Sequence, residues 1–391
     1  MKKFFLLLAA VTISLGAMSQ KAKVQSALGY IEQGSLDKAK EAIDQALLDE
    51  KTKDWFNTYF AKGQLCQASF VSENPTYQAY YADPLIEAYN CYEKGLELDP
   101  KGSLKKTIIS KMVYNTLANN FAQQGYKRFE AKDFNGSFKS FETQIKVMES
   151  DKYAGGIDTT LYFNTGLAAG NAGKYEVAIK YFEKCAEMKY GGITPYFQIY
   201  QNYLGLGDTL KAESILTSLN SKFPGNKAIV LQLIDLYLTN KKVDEAFKYI
   251  KTAKEADPGN YRLYYVAGAT YVNLGKYDEA LEEITKAIEL EPNNAETQYV
   301  MALAYQNKAA VLSTKANDIM DQKKYNAAVD EIMAIYYKAL PYAEKAHELS
   351  PEDVYTMRSL QELYYRLKYK DPSFAPKYDA IKAKLAALEK K

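Results

Sequence analysis

The sequence has few of the residues that most enzymes use for catalysis. Its 391 residues include three cysteines, one tryptophan and a single histidine, His347. With one histidine and scattered cysteines, no tetrahedral zinc site of nitrogen and sulfur ligands can be assembled. The strings GxSxG, GxxxxGKS/T and HExxH are absent, so the signatures of serine hydrolases, P-loop proteins and zinc proteases are missing. The sequence therefore predicts a protein that is not an enzyme, uses no cofactor or metal, and carries His347 on a helix surface.

The first 19 residues predict a secretory signal peptide. Two lysines precede an apolar run from Phe4 to Ala17, and small residues mark a cleavage site between Ser19 and Gln20. The run is shorter than the roughly 20 apolar residues of a membrane-spanning helix. We therefore expect cleavage near Ser19 and no transmembrane span afterwards. A glutamine directly after the site resembles exported proteins of Bacteroidota, which implies a periplasmic or secreted location.

Charge excludes one class of partner. The chain has 50 Lys+Arg and 48 Asp+Glu, and removal of the segment with Lys2 and Lys3 leaves 48 of each. No long run of like charge appears in the remainder. Because a neutral chain has no electrostatic attraction to a polyanion, the sequence predicts no nucleic-acid partner.

A pattern with a period of 34 residues runs through the middle of the chain. Small residues that keep this interval are Ala178, Ala212, Ala246 and Ala280. Large apolar residues follow four positions later, at Phe182, Leu216, Ile250 and Ile284. Prolines keep the same interval at Pro224, Pro258 and Pro292. Repeats of this length indicate stacked supersecondary units that bury their apolar faces against their neighbours.

One unit, residues 261–294, shows how the pattern specifies a helical hairpin. Gly268 and Ala280 are small because two helices cross closely there. Gly275 suits the left-handed position after a helix, and Pro292 ends the unit because its ring cannot continue a helix.

This pattern resembles the tetratricopeptide repeat family over nearly the whole mature chain. The resemblance implies an all-α fold, a right-handed superhelical solenoid of antiparallel helix pairs, with about eight repeats and a C-terminal capping pair. The expected organisation is a signal peptide (1–19), N-terminal repeats with insertions (20–158), four regular repeats (159–294), a repeat with a lengthened helical hairpin (295–351) and capping helices (352–391).

Three departures from the period are where we expect specificity. They are a tyrosine-rich loop near 71–84, a long helix from Leu104 to Ala131, and a lengthened hairpin near 308–334. Whether that hairpin is the binding element stays open at this stage.

Cys66, Cys91 and Cys185 have no CxxC spacing, and two interpretations stay open. In an oxidising compartment, Cys66 and Cys91 could join two helices of one repeat by a disulfide. Alternatively, all three are small buried apolar residues, which we favour because distant positions fix no geometry.

The candidate binding surface is the concave face, which the first helix of each pair lines in such stacks. Its predicted groove residues are Phe163, Asn171, Phe197, Gln201, Asp235, Arg262, Tyr265, Asn273, Tyr299, Gln306, Asn307 and Arg358. Aromatic side chains ringed by amides and single charges favour protein or peptide partners. The leading hypothesis is a non-enzymatic periplasmic scaffold or adaptor in envelope assembly or export. The alternative is capture of peptides or glycans in a tyrosine-rich groove for nutrient uptake. The partner, the pathway and the oligomeric state are not encoded in any pattern of the sequence.

Overall fold

The structure is a computed structural model that describes residues 20–388. The predicted signal peptide, residues 1–19, lies outside the described residues. Over the described range the chain forms twenty helices and no strand, which confirms the all-α prediction. None of the helices in this range combines the length and the apolar character that crossing a bilayer requires. The chain divides after Ile215 into two compact units.

The helices follow one another with short connections. Those of the first unit are α1 (20–32), α2 (Leu36–Leu48), α3 (Phe56–Val71), α4 (Pro75–Gln78), α5 (Pro84–Glu97), α6 (Ser103–Ser110), α7 (Val113–Glu130), α8 (Phe134–Met148), α9 (Thr159–Asn171), α10 (Tyr175–Glu187) and α11 (Thr194–Gly205). Helix α12 (Thr209–Lys222) contains the division. Those of the second unit are α13 (Lys227–Thr239), α14 (Val243–Ala256), α15 (Tyr261–Asn273), α16 (Tyr277–Leu290), α17 (Ala295–Ala316), α18 (Gln322–Leu349), α19 (Val354–Leu367) and α20 (Phe374–Leu388).

Helix pairs close where a glycine of the first helix meets a large side chain of the second. A Cβ atom at Gly166 would lie 2.9 Å from the Phe182 ring, and one at Gly268 would lie 2.5 Å from Ile284 Cδ1. Both large side chains are fully buried. The four alanines of the 34-residue pattern are also fully buried. The period therefore marks the points of closest approach, where any larger side chain would separate the helices.

The same period recurs in the backbone of the turns. The second residue after the first helix of the pair has a left-handed backbone at Gly173, Gly207 and Gly275, with φ of 74°, 73° and 73°. The equivalent position in the remaining repeat is Lys241, with φ 59°. Because a Cβ atom makes this conformation unfavourable, Lys241 is the strained member of the series.

Replacing Lys241 by glycine is expected to raise the free energy of unfolding by about 1 kcal/mol, because it removes the left-handed strain. Urea denaturation followed by circular dichroism measures this change. Gly275→Lys provides the reverse substitution and should lower stability by a similar amount. Loss of stability in Lys241→Gly would show that the lysine side chain makes a compensating contact.

The prediction of one long helix from Leu104 to Ala131 is wrong. Two helices, α6 and α7, occupy this segment, and between them Met112 has a φ of 51°. In one straight helix, Val113 would stand nine positions, about half a turn, away from Leu104 on the surface. The break instead lets apolar residues of both helices enter one core cluster.

The segment near 71–84 is packed rather than free. It holds the short helix α4, and the rings of Tyr77 and Tyr80 lie 5.5 Å apart against the first core cluster. At its end, Asp83 accepts a hydrogen bond of 3.1 Å from Arg128 Nη2 on α7. The same guanidinium donates to Ser140 Oγ on α8 at 3.0 Å. These contacts tie the insertion to the following helix pair.

The segment near 308–334 is divided between helices of 22 and 28 residues, α17 and α18. Buried alanines on α17 recur every seven residues, at Ala302, Ala309 and Ala316. They share a core cluster with Ile332 and Ile335 of α18, and α18 continues through Pro341. Small residues on one helix and branched residues on the other let the two long helices pack closely.

The three cysteines are buried and hold free thiols. Burial raises the pKa of the Cys66 thiol, and it raises that of Cys91 to about 12 and that of Cys185 to about 11. Thiols that resist ionisation in this way behave as small apolar residues.

His347 on α18 faces the last described helix. Its Nε2 atom lies 3.5 Å from Lys384 Nζ of α20. Burial, and then the neighbouring Lys384 charge, lower the pKa of His347, while Asp353 acts in the opposite sense. The sequence had predicted His347 on an open helix surface. In the structure its side chain is half-buried instead.

Acidification is expected to lower the stability of the folded chain through protonation of His347 beside Lys384. Because the folded-state pKa lies below the ordinary value of about 6.5, the unfolded chain binds the proton more readily as pH falls through that value. The native chain should therefore lose more stability between pH 7.5 and pH 5.5 than His347→Gln, which cannot titrate. Denaturation midpoints at both pH values measure the difference, and equal losses in the two proteins would contradict this assignment.

Candidate protein-binding groove

Four predicted residues converge in one cleft between α17 and α19 of the second unit. Tyr299, Gln306 and Asn307 come from α17, and Arg358 comes from α19. The cleft has a volume of about 230 Å³. It forms because the two helices are the first members of consecutive pairs and pack side by side, so that their outward side chains face one space.

A second cleft of about 530 Å³ continues along α19 toward α20. Arg358 and Glu362 line both clefts, so the two share one wall. We call the combined surface the α19 groove. Its lining residues used below are Tyr299, Asn307, Tyr355, Arg358, Glu362, Tyr365, Arg366 and Tyr378.

Gln306 holds the floor of the α19 groove. Its Nε2 atom donates to the Ser359 carbonyl oxygen at 3.1 Å, and Ser359 Oγ donates to Gln306 Oε1 at 2.6 Å. Gln306 and Ser359 are both buried. With both ends of its amide engaged, Gln306 fixes α19 against α17 and thereby positions the tyrosines and Arg358 above it.

The charges along the groove are mixed, with an excess of positive groups. Arg366 Nη2 donates to Glu362 Oε1 at 3.3 Å, and Arg358 stands one helical turn before Glu362. At the end of the groove, Lys368 Nζ lies 4.2 Å from the centroid of the Tyr378 ring and 4.6 Å from that of Tyr365. The rings near α20 are therefore held by a cation at their edge of the groove.

The tyrosines differ in exposure. Tyr299 is half-buried, and burial followed by the nearby Asp353 carboxylate raises the pKa of its hydroxyl. Tyr355 is 67% exposed. The groove thus offers a half-buried ring at its base and an open ring at its rim.

Comparison with family models finds repeats in three stretches of the chain. A model described as tetratricopeptide repeat matches residues 159–190, another of the same description matches residues 203–265, and one described as TPR repeat matches residues 268–308.

The chain contains tetratricopeptide repeats.

Comparison with solved structures finds similar chains, two of which are titled as TPR proteins. A TPR repeats protein from Bacteroides fragilis is 19% identical, with 63% of this chain and 97% of that chain covered and a TM-score of 0.30. YrrB, titled a TPR protein with an unusual peptide-binding site, is 18% identical, with 52% and 91% covered and a TM-score of 0.35. MamA from MSR-1 is 22% identical, with 49% and 97% covered and a TM-score of 0.33. No curated protein matches the chain.

Tetratricopeptide repeats build interaction scaffolds, since their stacked pairs expose extended surfaces to partners. In the first unit, a smaller cleft of about 170 Å³ lies between α9 and α11. The predicted residues Asn171 and Gln201 line it and are exposed. Asn171 Nδ2 donates to the Leu167 carbonyl oxygen of its own helix at 2.9 Å, which caps part of the helix end.

Other predicted groove residues lie apart from these clefts. Phe163 packs within its repeat, with its ring 5.4 Å from that of Phe182, and Phe197 is half-buried. On α13 and α15, Asp235, Arg262 and Asn273 are exposed and Tyr265 is half-buried. Burial is the main cause of the raised pKa of Tyr265.

The residues predicted from the sequence did not include three tyrosines of the α19 groove, Tyr355, Tyr365 and Tyr378. Tyr355 and Tyr365 lie three residues before and seven residues after Arg358, so all three share a face of α19. Helical spacing from Arg358 would have found them. Tyr378 lies on α20, and its contribution depends on how α20 packs, which no spacing along α19 indicates.

Proposed function

We propose that this protein is a non-enzymatic scaffold that binds a protein or peptide partner in the α19 groove. The observation that carries the proposal is the convergence of Tyr299, Asn307, Tyr355 and Arg358 on one cleft from two helices. Tyrosine and arginine are the residue types that most often dominate protein interfaces. Both provide large contact areas, and arginine adds a fixed set of hydrogen-bond donors.

The shape and chemistry of the groove favour an extended peptide or a partner helix. Its two clefts follow one helix, so a linear segment can lie along both. Arg358 and Arg366 place guanidinium donors on the groove wall, which favours a partner segment with an acidic side chain or a free C-terminus. An apolar or aromatic side chain beside that acid would pack on Tyr299 and Tyr355.

We further propose that the protein works in the periplasm, in envelope assembly or export. The signal-like pattern of residues 1–19 supports this location. Fractionation of the native cells, with N-terminal sequencing of the isolated protein, tests it. We expect a periplasmic protein that begins at Gln20, whereas a cytosolic protein that retains Lys2 and Lys3 would contradict the location.

Affinity capture with matched variants tests the binding role. The full mature chain, immobilised as bait, is incubated with an envelope extract beside Tyr299→Ala and Arg358→Ala. Exposed residues outside the groove supply the controls Tyr325→Ala and Lys323→Ala on α18. We expect one protein to be retained by the native chain and both controls and to be lost from both groove variants.

Retention by all five baits would place binding elsewhere on the surface.

The exposed ring of Tyr355 also favours a second candidate, capture of a glycan by stacking on tyrosine. Glycan-array binding that is lost in Tyr355→Ala, with no retained protein, would establish that candidate in place of the first.

A further inference from the structure

A cavity of about 400 Å³ lies within the second unit, away from the α19 groove. It is bounded by the pair α13–α14, the end of α12 and the turn before α15. Its walls include Val230 and Leu231 from α13, with Tyr249 and Ala253 from α14, all half-buried. This volume and mostly apolar lining fall in the range of small-ligand sites.

The repeat period shows what this cavity lacks. At steps of 34 residues from Val230 stand Tyr162, Tyr196, Tyr264 and, two steps later, Gln298. At the same steps from Leu231 stand Phe163, Phe197, Tyr265 and Tyr299. Ala256, also in the cavity wall, corresponds to Leu290 one period later. The repeat of residues 227–260 therefore has aliphatic side chains at the two positions where both adjacent repeats carry rings, and alanine where the following repeat has leucine.

The following repeat shows the equivalent space occupied. There, Lys254 Nζ lies 4.6 Å from the centroid of the Tyr264 ring. Lys254 and Tyr264 correspond to Asn220 and Val230, and both of these residues stand on the cavity wall. The cavity thus adjoins the position that corresponds to Tyr264 in the following repeat.

Polar groups stand at one end of the cavity wall. Asn260 lines the cavity, and its Nδ2 atom donates to Asp257 Oδ2 at 3.4 Å while its Oδ1 atom accepts from the Arg262 backbone N–H at 3.2 Å. Asp257 also pairs with Lys227 Nζ at 2.8 Å. This end of the cavity therefore presents an amide, a carboxylate and an ammonium group to a polar substituent.

We propose that the cavity binds an aromatic ring with a hydrogen-bonding substituent, of the phenol or indole class. The ring takes the place that Tyr264 fills in the following repeat, and its polar substituent meets Asn260 and the Lys227–Asp257 pair. The ring comes either from a free small molecule or from a tyrosine or tryptophan side chain of a peptide.

Calorimetric titration of the full chain tests the proposal. The probes are p-cresol, N-acetyltyrosinamide and, as a saturated ring of similar size, 4-methylcyclohexanol. We expect saturable binding of p-cresol with one molecule per chain and at least about fivefold weaker binding of the saturated ring. Tighter binding of N-acetyltyrosinamide than of p-cresol assigns the ring to a peptide, and the opposite order assigns it to a free small molecule.

Substitutions that copy the following repeat provide the sharpest comparison. Val230→Tyr and Ala256→Leu should each weaken p-cresol binding by at least about tenfold, because the new side chain fills the space. Both should also raise the thermal midpoint without ligand. Val311→Tyr, at an exposed valine of α17, should change neither quantity.

Two results would overturn the proposal: no saturable binding of p-cresol by the native chain, or unchanged binding in both filled variants with native circular dichroism. Tyr299→Ala should leave p-cresol binding intact, so failure of the α19 groove and failure of this cavity can be told apart.

Discussion

Gly63→Ala is expected to lower the free energy of unfolding by about 2–3 kcal/mol, although alanine is the better helix former. A Cβ atom at Gly63 would overlap the ring of Tyr92 on the paired helix α5. That ring cannot move aside. It is fully buried, and its hydroxyl accepts a hydrogen bond of 2.6 Å from Gln64 Nε2 and donates to Gln67 Oε1. The helices must therefore separate, which loses packing along their length. Urea denaturation measures the change.

Gly29→Ala is the matched control for this prediction. Gly29 lies in α1, and a Cβ atom there meets nothing within 4 Å. The same substitution should stabilise the protein by about 0.5–1 kcal/mol, because it removes backbone freedom from the unfolded chain. Destabilisation of similar size at both glycines would show that the close crossing of α3 and α5 is not the cause.

Tyr299→Ala combined with Arg358→Ala is expected to weaken partner binding by about 100-fold, which corresponds to about 2.8 kcal/mol. Each side chain contributes from a different helix to the same cleft, so removal of both opens the base and the charged wall together. Surface plasmon resonance with the partner identified by affinity capture measures the change, which should appear mainly in the dissociation rate.

The paired control is Tyr325→Ala with Lys323→Ala, which removes the same kinds of groups from an exposed part of α18. This double variant should bind as the native chain does. Circular dichroism checks that the groove variant is folded, since Gln306 and Ser359 keep α17 and α19 joined without either substituted side chain. Equal weakening by the two double variants would remove the α19 groove from the account.

The repeat pattern predicted the regular part of the fold because each of its positions has one physical role. Gly268 and Ala280 had to be small for the helices to cross, and Gly275 had to be left-handed. Those requirements act between residues close in sequence, so the sequence shows them directly. The prediction of one long helix over the segment of α6 and α7 failed for the opposite reason. Its break at Met112 follows from which face each apolar residue must present to a distant core.

The α19 groove was found only in part for a related reason. The expectation that the first helix of each pair lines the binding face predicted Tyr299, Asn307 and Arg358, which the structure places in one cleft. The same expectation did not include Tyr355, whose ability to contact a partner depends on its exposure. It also selected Gln306 as a binding residue without showing that Ser359 already uses both ends of its amide. Burial and partner choice depend on the packing of whole helices, which no local pattern reports.

Site-specific photo-crosslinking in native cells tests the central claim most directly. A benzophenone amino acid replaces Tyr355 in the α19 groove or, as the control, Tyr325 on α18. We expect the protein at position 355 to crosslink to one partner polypeptide and the protein at position 325 to give no such product. No adduct at position 355, or the same adduct at both positions, would contradict binding of a protein partner in this groove.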